Sequence, residues 1–245
     1  MKSLTIHSVA LFGIFFFFSC KKDNSSNTFS TRPKTYTENI TSSIMGNSVT
    51  TFDLTWDNNN RLISMVSTPA PPVLKFVYQY STGSFTLDLF NSNTLSIHEI
   101  FWLNAIPYID STFQYNNTHD TTTEKYIYNS NKQLVQKNEY SFSTVSGATL
   151  INTTNDTYDN NGNVITETDG FGTTTFDYYP SLLNPFSIDM PYLPATKNLQ
   201  KTVSNNSGGT IISATHTYTF DSNNRLTTDK AVGSNGDIII KSYTY

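Results

Sequence analysis

Histidines are the side chains with the broadest chemistry in this sequence, and three of them lie beyond the first 30 residues: His98, His119 and His216. None has a second histidine at a zinc-binding spacing, and none belongs to a paired-carboxylate or triad pattern. On a strand, His98 and its neighbour Glu99 would point to opposite faces. We therefore predict no metal site, no catalytic residue and no cofactor, and we expect these histidines to be solvated or to cap turns.

Carboxylates offer a second kind of chemistry, because two of them can share the acid and base roles of a glycoside hydrolase. The candidates are Asp110, Asp120, Glu124, Glu139, Glu167 and Asp189. Sequence alone brings no two of them within reach, so a surface carbohydrate-processing hydrolase is the alternative hypothesis. A calcium loop at residues 159–162 is excluded, because Thr157 and Thr168 stand where the EF-hand pattern needs Asp and Glu.

The stretch around Asp159 predicts a β-hairpin. Asp159 can accept the backbone N–H two residues later, and Gly162 can adopt the positive φ that closes the loop. Pairing Asp159 with Asn163 would place Tyr158 opposite Val164 across a bulged turn, where an aromatic ring meets a β-branched side chain.

The same turn spacing recurs three times, each time after an aromatic residue. The turn positions in the four copies are Asp57 and Asn60, Asn129, Asp159 and Gly162, and Asp221 and Asn224. Lys132 occupies the glycine position of one copy. Because lysine is poorly suited to positive φ, we expect that turn to be the most distorted.

The remaining sequence is typical of an all-β domain, with 14% aromatic residues and frequent Thr, Ser and Asn. Turn signals predict an antiparallel meander of about 15–16 strands, and alternation places Phe76, Tyr78 and Tyr80 on one face. We expect a flattened barrel or a curved, self-packed sheet, with Tyr and Phe inside and Thr, Ser, Asn and Lys outside. A small transmembrane β-barrel is a second alternative, disfavoured because outward strings such as residues 121–123 are hydroxylic.

Charge and cysteine content exclude further classes. A formal net charge of −4 with 14% charged residues leaves no basic stripe for a nucleic-acid backbone. Lys2, the short apolar run at residues 9–18 and a small residue before Cys20 predict a signal peptide over residues 1–19. Cys20 is the one cysteine, so neither a disulfide nor a thiol catalyst is expected in the folded domain.

The turn motif Y-x-[YF]-[DN]-x-N-x-[RQN]-[LV] resembles the YD repeat of the Rhs family. The resemblance is to the form carried by small Bacteroidota lipoproteins of unknown function, which have a porin-like, many-stranded β fold. A second marker, at residues 176–179, 184–186 and 197–199, is similar to an insertion of that family. The residues around Cys20 resemble a lipobox, which implies acylation of this cysteine and a lasting lipid anchor. The implied organisation is a signal peptide (1–19), a lipidated cysteine with a polar tether (20–33) and a YD-repeat-like domain (34–245).

Two apolar, proline-containing links, residues 101–108 and 185–194, could plug the sheet ends or form an exposed patch for a glycan or a protein. In the second case the contacts would be Trp102, Tyr108, Phe186 and Tyr192. We therefore predict a non-catalytic binding or structural module, lipid-anchored in the outer membrane on its periplasmic face or at the cell surface. The sequence leaves the ligand, the face of the membrane and the oligomeric state open.

Overall fold

The computed structural model describes residues 32–43, 46–59, 61–68, 73–104, 108–116, 121–143, 147–184 and 196–245. These residues form 16 strands: β1 (Thr35–Ser42), β2 (Gly46–Trp56), β3 (Leu62–Thr68), β4 (Leu74–Ser81), β5 (Ser84–Asn91), β6 (Thr94–Leu103), β7 (Ile109–Asn116), β8 (Thr121–Tyr128), β9 (Leu134–Ser143), β10 (Gly147–Tyr158), β11 (Val164–Thr168), β12 (Gly172–Leu183), β13 (Asn198–Ser207), β14 (Thr210–Phe220), β15 (Leu226–Gly233) and β16 (Ile238–Thr244). Within these ranges no helix is long and apolar enough to cross a membrane.

The strands form one antiparallel sheet in chain order, and the sheet closes on itself. Closure occurs where β1 meets β16, in register from Thr35 opposite Thr244 to Thr41 opposite Ile238. The predicted all-β meander is therefore confirmed. Of the two expected shapes, the chain adopts the barrel and not the curved, self-packed sheet.

Large apolar side chains fill much of the interior. Phe76 and Tyr78 of β4 and Phe85 of β5 are buried, as the alternation predicts, and the rings of Phe85 and Phe101 stack with centroids 4.2 Å apart. Other members of this core are Tyr36, Phe52, Leu54, Leu62, Met65, Leu87, Ile109, Tyr126, Leu226 and Tyr243. Because a barrel of this strand number encloses more space than small side chains can occupy, these residues supply the packing.

The seam between the first and last strands combines rings with opposed charges. Tyr36 lies opposite Tyr243, and Glu38 lies opposite Lys241. The hydroxyl of Tyr36 donates to Glu38 at 2.9 Å. Burial lowers the pKa of Lys241 to about 8, against the opposing effects of Asp229 and Glu38. The expectation that lysines face outward is wrong here, because this lysine compensates carboxylates inside the barrel.

The four motif turns lie at the same end of the barrel, because each joins an even-numbered strand to the following odd-numbered one. We call this the motif end, and the opposite one the far end. In the lead turn, Asp159 Oδ1 accepts the N–H groups of Asn161 at 2.8 Å and Asn163 at 2.9 Å. Tyr158 pairs with Val164 beside a register irregularity, as predicted for a bulged hairpin.

The other motif turns repeat this arrangement in the described residues. Their first residues, Asp57, Asn129 and Asp221, accept the N–H groups two and four positions later. The glycine-equivalent position has φ of 88° at Gly162, 64° at Lys132 and 62° at Asn224, and Asn60 lies outside the described residues. The side-chain hydrogen bonds therefore hold the positive φ even where glycine is absent.

Aromatic side chains fasten neighbouring hairpins together at the motif end. Six tyrosine hydroxyls donate to backbone carbonyls of a nearby strand start: Tyr80 to Leu62, Tyr128 to Ile109, Tyr158 to Leu134, Tyr178 to Val164, Tyr218 to Gln200 and Tyr245 to Leu226. Arg61 and Arg225 lie over the rings of Tyr80 and Tyr245, 4.2 and 4.4 Å from the centroids. In the described residues, these hydrogen bonds and ring contacts therefore fix the turns of the motif end to neighbouring strands.

Candidate functional site

An aromatic patch covers the outside of β5, β6 and β7. We define the outer patch as Asp88, His98, Ile100, Trp102, Phe113 and Tyr115. The register sets Ile100 against Phe113 and His98 against Tyr115 across β6 and β7. Trp102 is 42% exposed and Tyr115 39% exposed. Because Trp102 lies four residues along the strand from His98, the patch extends over about 13 Å.

The polar part of the outer patch is a His–Asp pair. His98 Nδ1 lies 2.5 Å from Asp88 Oδ1, and the imidazole ring lies 5.0 Å from the ring of Tyr115, measured between centroids. The carboxylate fixes the orientation of the imidazole ring, so Nε2 is the atom through which His98 can meet a ligand. Ser84 and Ser111 flank Trp102 on the neighbouring strands. Aromatic faces and hydrogen-bonding groups therefore share one surface.

The residues predicted to bind a partner have separate locations. Trp102 lies in the outer patch, whereas Tyr108 stacks on Tyr128 at the motif end, with centroids 5.3 Å apart. Cys20, Phe186 and Tyr192 lie outside the described residues. The structure thus assigns the two described residues to different surfaces, and a partner role for the set remains a prediction.

A second cluster of ionisable groups faces the barrel interior. We define the inner acidic cluster as Glu99, Glu124, Lys137, Glu139, Asp156 and Glu167. Glu124 lies directly opposite Glu139, and Asp156 lies directly opposite Glu167. Like charges at directly opposed positions destabilise a sheet. Lys137 compensates in part, since its Nζ is 3.2 Å from Glu124 Oε1, and the hydroxyl of Tyr126 donates to the other oxygen of that carboxylate.

Burial and mutual repulsion raise the pKa of four carboxyls in this cluster. Burial, with the nearby Glu124 charge, raises the pKa of Glu99 to about 8 despite a hydrogen bond from Thr112. Burial and Glu167 raise the pKa of Asp156 to about 7, while Lys137 opposes the shift. Burial likewise raises the pKa of Glu139 and of Glu167. At neutral pH Glu99 is therefore mostly protonated, and Asp156 is protonated in about half of the molecules.

The inner acidic cluster brings together three of the six carboxylates considered for a hydrolase: Glu124, Glu139 and Glu167. Asp110 is exposed at the start of β7, away from them, and Asp120 and Asp189 lie outside the described residues. In the described ranges no group of three or more His, Cys, Asp or Glu residues is arranged to hold a metal ion.

Both described histidines are hydrogen-bonded to an aspartate instead of simply solvated. His216 Nδ1 lies 2.9 Å from Asp229 Oδ1 inside the barrel, and His98 pairs with Asp88 outside it. Sequence reasoning missed both aspartates. A signal for one was available, because Asn91, Ser92 and Asn93 are turn-forming residues, and the short connection between β5 and β6 brings Asp88 opposite His98.

The fold of this chain is that of porin-like barrels. A porin-like protein from Bacteroides uniformis is similar with a TM-score of 0.62, covering 86% of this chain and 97% of its own at 14% sequence identity. A porin-like protein from Bacteroides vulgatus is similar with a TM-score of 0.52, covering 87% of this chain and 98% of its own at 10% identity. No protein-family model matches the chain, and no curated protein sequence matches it.

Proposed function

We propose that this protein is a non-catalytic barrel of the outer membrane, anchored by a lipid on Cys20, that binds a carbohydrate through its outer patch. Its YD-repeat-like turns and lipobox-like residues support membership in the lipoproteins that it resembles. The porin-like barrel fold is consistent with this assignment. The observation that carries the binding role is the exposed pair of aromatic side chains, Trp102 and Tyr115, beside a His–Asp pair.

The outward composition favours a barrel held beside the membrane over one that spans it. On β1 the outward residues are Thr35, Thr37, Asn39 and Thr41, and β14 presents a similar series of Ser and Thr. A spanning barrel needs an apolar outward band, because hydrocarbon cannot hydrogen-bond to hydroxyl and amide groups. A lipid on Cys20 supplies membrane attachment without such a band.

The chemistry of the outer patch suits a carbohydrate. Aromatic rings offer flat apolar faces to the C–H surfaces of a sugar ring. The carboxylate of Asp88, the imidazole of His98 and the hydroxyls of Ser84 and Ser111 can bond sugar hydroxyls around those faces. A wholly apolar patch would instead favour a protein partner.

Binding to a glycan array tests this proposal. We expect the wild-type protein to bind a subset of glycans, and Trp102→Ala or Tyr115→Ala to lose at least tenfold in affinity, with unchanged circular dichroism. The matched control is Ile211→Ala, which removes an apolar side chain that is 65% exposed on β14. Equal binding by all variants, or no glycan binding by the wild type, would refute the role of the patch.

Two further measurements test the lipid anchor and the hydrolase hypothesis separately. Mass spectrometry of protein extracted from membranes should show acyl chains on Cys20, and Cys20→Ser should abolish them. Release of reducing sugar from a bound glycan, abolished by Glu124→Gln, would favour the hydrolase hypothesis instead.

A further inference from the structure

We propose that the motif end of the barrel is a docking surface for anionic phospholipid, so that the far end points away from the membrane. This inference rests on the proposed lipid anchor and adds the orientation of the barrel. It follows from three features of the motif end: its charge, its rigidity and the place where the tether enters.

Charge is distributed unequally between the two ends. The chain segments at the motif end contain six basic residues, Arg32, Lys34, Arg61, Lys132, Lys197 and Arg225, against four acidic ones, Asp57, Asp159, Asp189 and Asp221. The links at the far end contain no Lys or Arg in the sequence, but contain Asp120, Asp169 and Asp237. An anionic surface therefore attracts the motif end and repels the far end.

The acidic side chains of the motif turns do not form a free anionic surface. Asp57 lies 2.7 Å from Arg61, and Asp221 lies 2.7 Å from Arg225. Asp159 is bonded to the N–H groups of its own turn and to the side chain of Asn163. Phospholipid phosphates would therefore meet mainly the exposed lysines.

Three exposed lysines stand on fixed backbone at this end: Lys34, Lys132 and Lys197. The N–H of Lys34 donates to Thr244 O at 2.7 Å, and that of Lys132 to Asn129 O at 2.9 Å. The carbonyl of Lys197 accepts from the N–H of Asn184 at 2.9 Å. Because these positions are rigid, their charges can act together on one surface.

The tether leads from the same end. Arg32 is the first described residue, beside the start of β1 at the motif end, and Cys20 lies 12 positions before it. A fully extended chain of that length reaches about 40 Å, so an anchor on Cys20 keeps the motif end near the lipid surface. Lys21 and Lys22, next to the anchor, add charge of the same sign.

Energy transfer to membrane lipids tests the orientation in the lipidated full-length mature protein. Ser222→Cys at the motif end and Ser43→Cys at the far end provide matched labelling sites, and acylation blocks the Cys20 thiol. Each donor-labelled protein is reconstituted in vesicles of equal parts phosphatidylcholine and phosphatidylglycerol that contain an acceptor lipid. We expect higher transfer from position 222 than from position 43.

The difference in energy transfer between positions 222 and 43 should depend on the three exposed lysines. A lysine near an anionic surface favours contact about fivefold, so changing Lys34, Lys132 and Lys197 to Gln shifts the contact equilibrium by about 100-fold. We expect this triple variant, phosphatidylcholine vesicles without phosphatidylglycerol, and about 1 M salt each to reduce the difference between the two donors. Circular dichroism checks that the variant is folded.

The outcomes separate this inference from the proposed function. Absence of acyl mass on Cys20 would refute the anchor itself. Acylated Cys20 with equal transfer from the two donors, or with higher transfer from position 43, would refute the docking surface and leave the anchor standing. A difference that is as large in the triple variant and at high salt as in the wild type at low salt would refute the electrostatic basis.

Discussion

Replacement of Glu99 by Gln should stabilise the barrel at alkaline pH and leave it nearly unchanged at pH 5. Glu99 is 7% exposed on the inner face of β6, and burial with repulsion from Glu124 raises its pKa to about 8 from an ordinary 4.5. The folded protein therefore keeps a proton on Glu99 that the unfolded chain has already released. This contribution to stability is complete below the pKa of Glu99 in the unfolded chain, and it is lost as the pH rises to and through the pKa of about 8 in the folded protein.

The magnitude follows from the pKa difference. Each pKa unit corresponds to 1.36 kcal/mol, so the Glu99 contribution to unfolding free energy should fall by about 3–5 kcal/mol between pH 5 and pH 9. The substituted glutamine side chain is neutral and of nearly the same shape, and it has no proton to lose. The unfolding free energy of Glu99→Gln should therefore exceed that of the wild type by most of this amount at pH 7 and by all of it at pH 9.

Urea unfolding followed by tryptophan fluorescence measures the effect at pH 5, 7 and 9. The matched control is Asp53→Asn, which makes the same carboxylate-to-amide change at an exposed position on the outward face of β2. If Glu99→Gln and the wild type differed by the same unfolding free energy at all three pH values, Glu99 would not hold a proton in the folded barrel.

Two further predictions concern the turns. Asp159→Ala removes the acceptor of two backbone N–H groups and should lower the unfolding free energy by about 1–3 kcal/mol. The control Asn160→Ala, at an exposed position of the same turn, should change it by less than about 0.5 kcal/mol. Equal losses of unfolding free energy in urea would contradict this role of Asp159. Gly172→Ala would place a Cβ 2.2 Å from the carbonyl oxygen of Asn206 and should lower the melting temperature strongly. The control Gly170→Ala, whose Cβ would have its nearest atom at 3.5 Å, should not. Similar melting temperatures for the two variants would show that β12 and β13 can separate at no cost.

The hairpins were predictable because their determinants are local. An aspartate with its hydrogen bonds two and four residues later specifies a turn within five residues, and alternation specifies which side chains face inward. Barrel closure was not predictable in the same way. It depends on pairing β1 with β16, and nothing in either strand encodes a partner some 200 residues away (Thr35 and Thr244 are partners).

The inner acidic cluster shows where alternation could have been used further. Glu124 has the same parity as Tyr126 and Tyr128, which the alternating pattern already places on the inner face. Its inward direction was therefore readable from the sequence. Its neighbours were not, because Glu139 and Glu167 come from other strands and meet it only through the register of the whole sheet.

Pairs of directly opposed carboxylates, which the rules of strand pairing disfavour, are concentrated in one wall of the barrel. Strands β8 to β11 oppose Glu124 to Glu139 and Asp156 to Glu167 on the inner face, whereas the core packs mainly apolar side chains from β1 to β6. Opposed carboxylates weaken pairing unless one of them is protonated. Burial, with the nearby Glu167 charge, raises the pKa of Asp156 to about 7. The acidic wall, with Glu99 on β6 and Lys241 on β16, therefore contains inner groups whose shifted pKa values make the stability of the barrel depend on pH.

The motif explains the shared geometry of its four turns. Its first and fifth residues are constrained together, since the side chains of Arg61, Asn163 and Arg225 each bind back to the aspartate that begins the turn. The residue type at the glycine position is not constrained, because Lys132 adopts the same positive φ there. The tyrosine hydroxyls then join one hairpin to another through backbone carbonyls, which every residue provides. What recurs along the chain is therefore a turn whose first and fifth residues are bonded to each other, next to an aromatic residue that bonds a neighbouring strand.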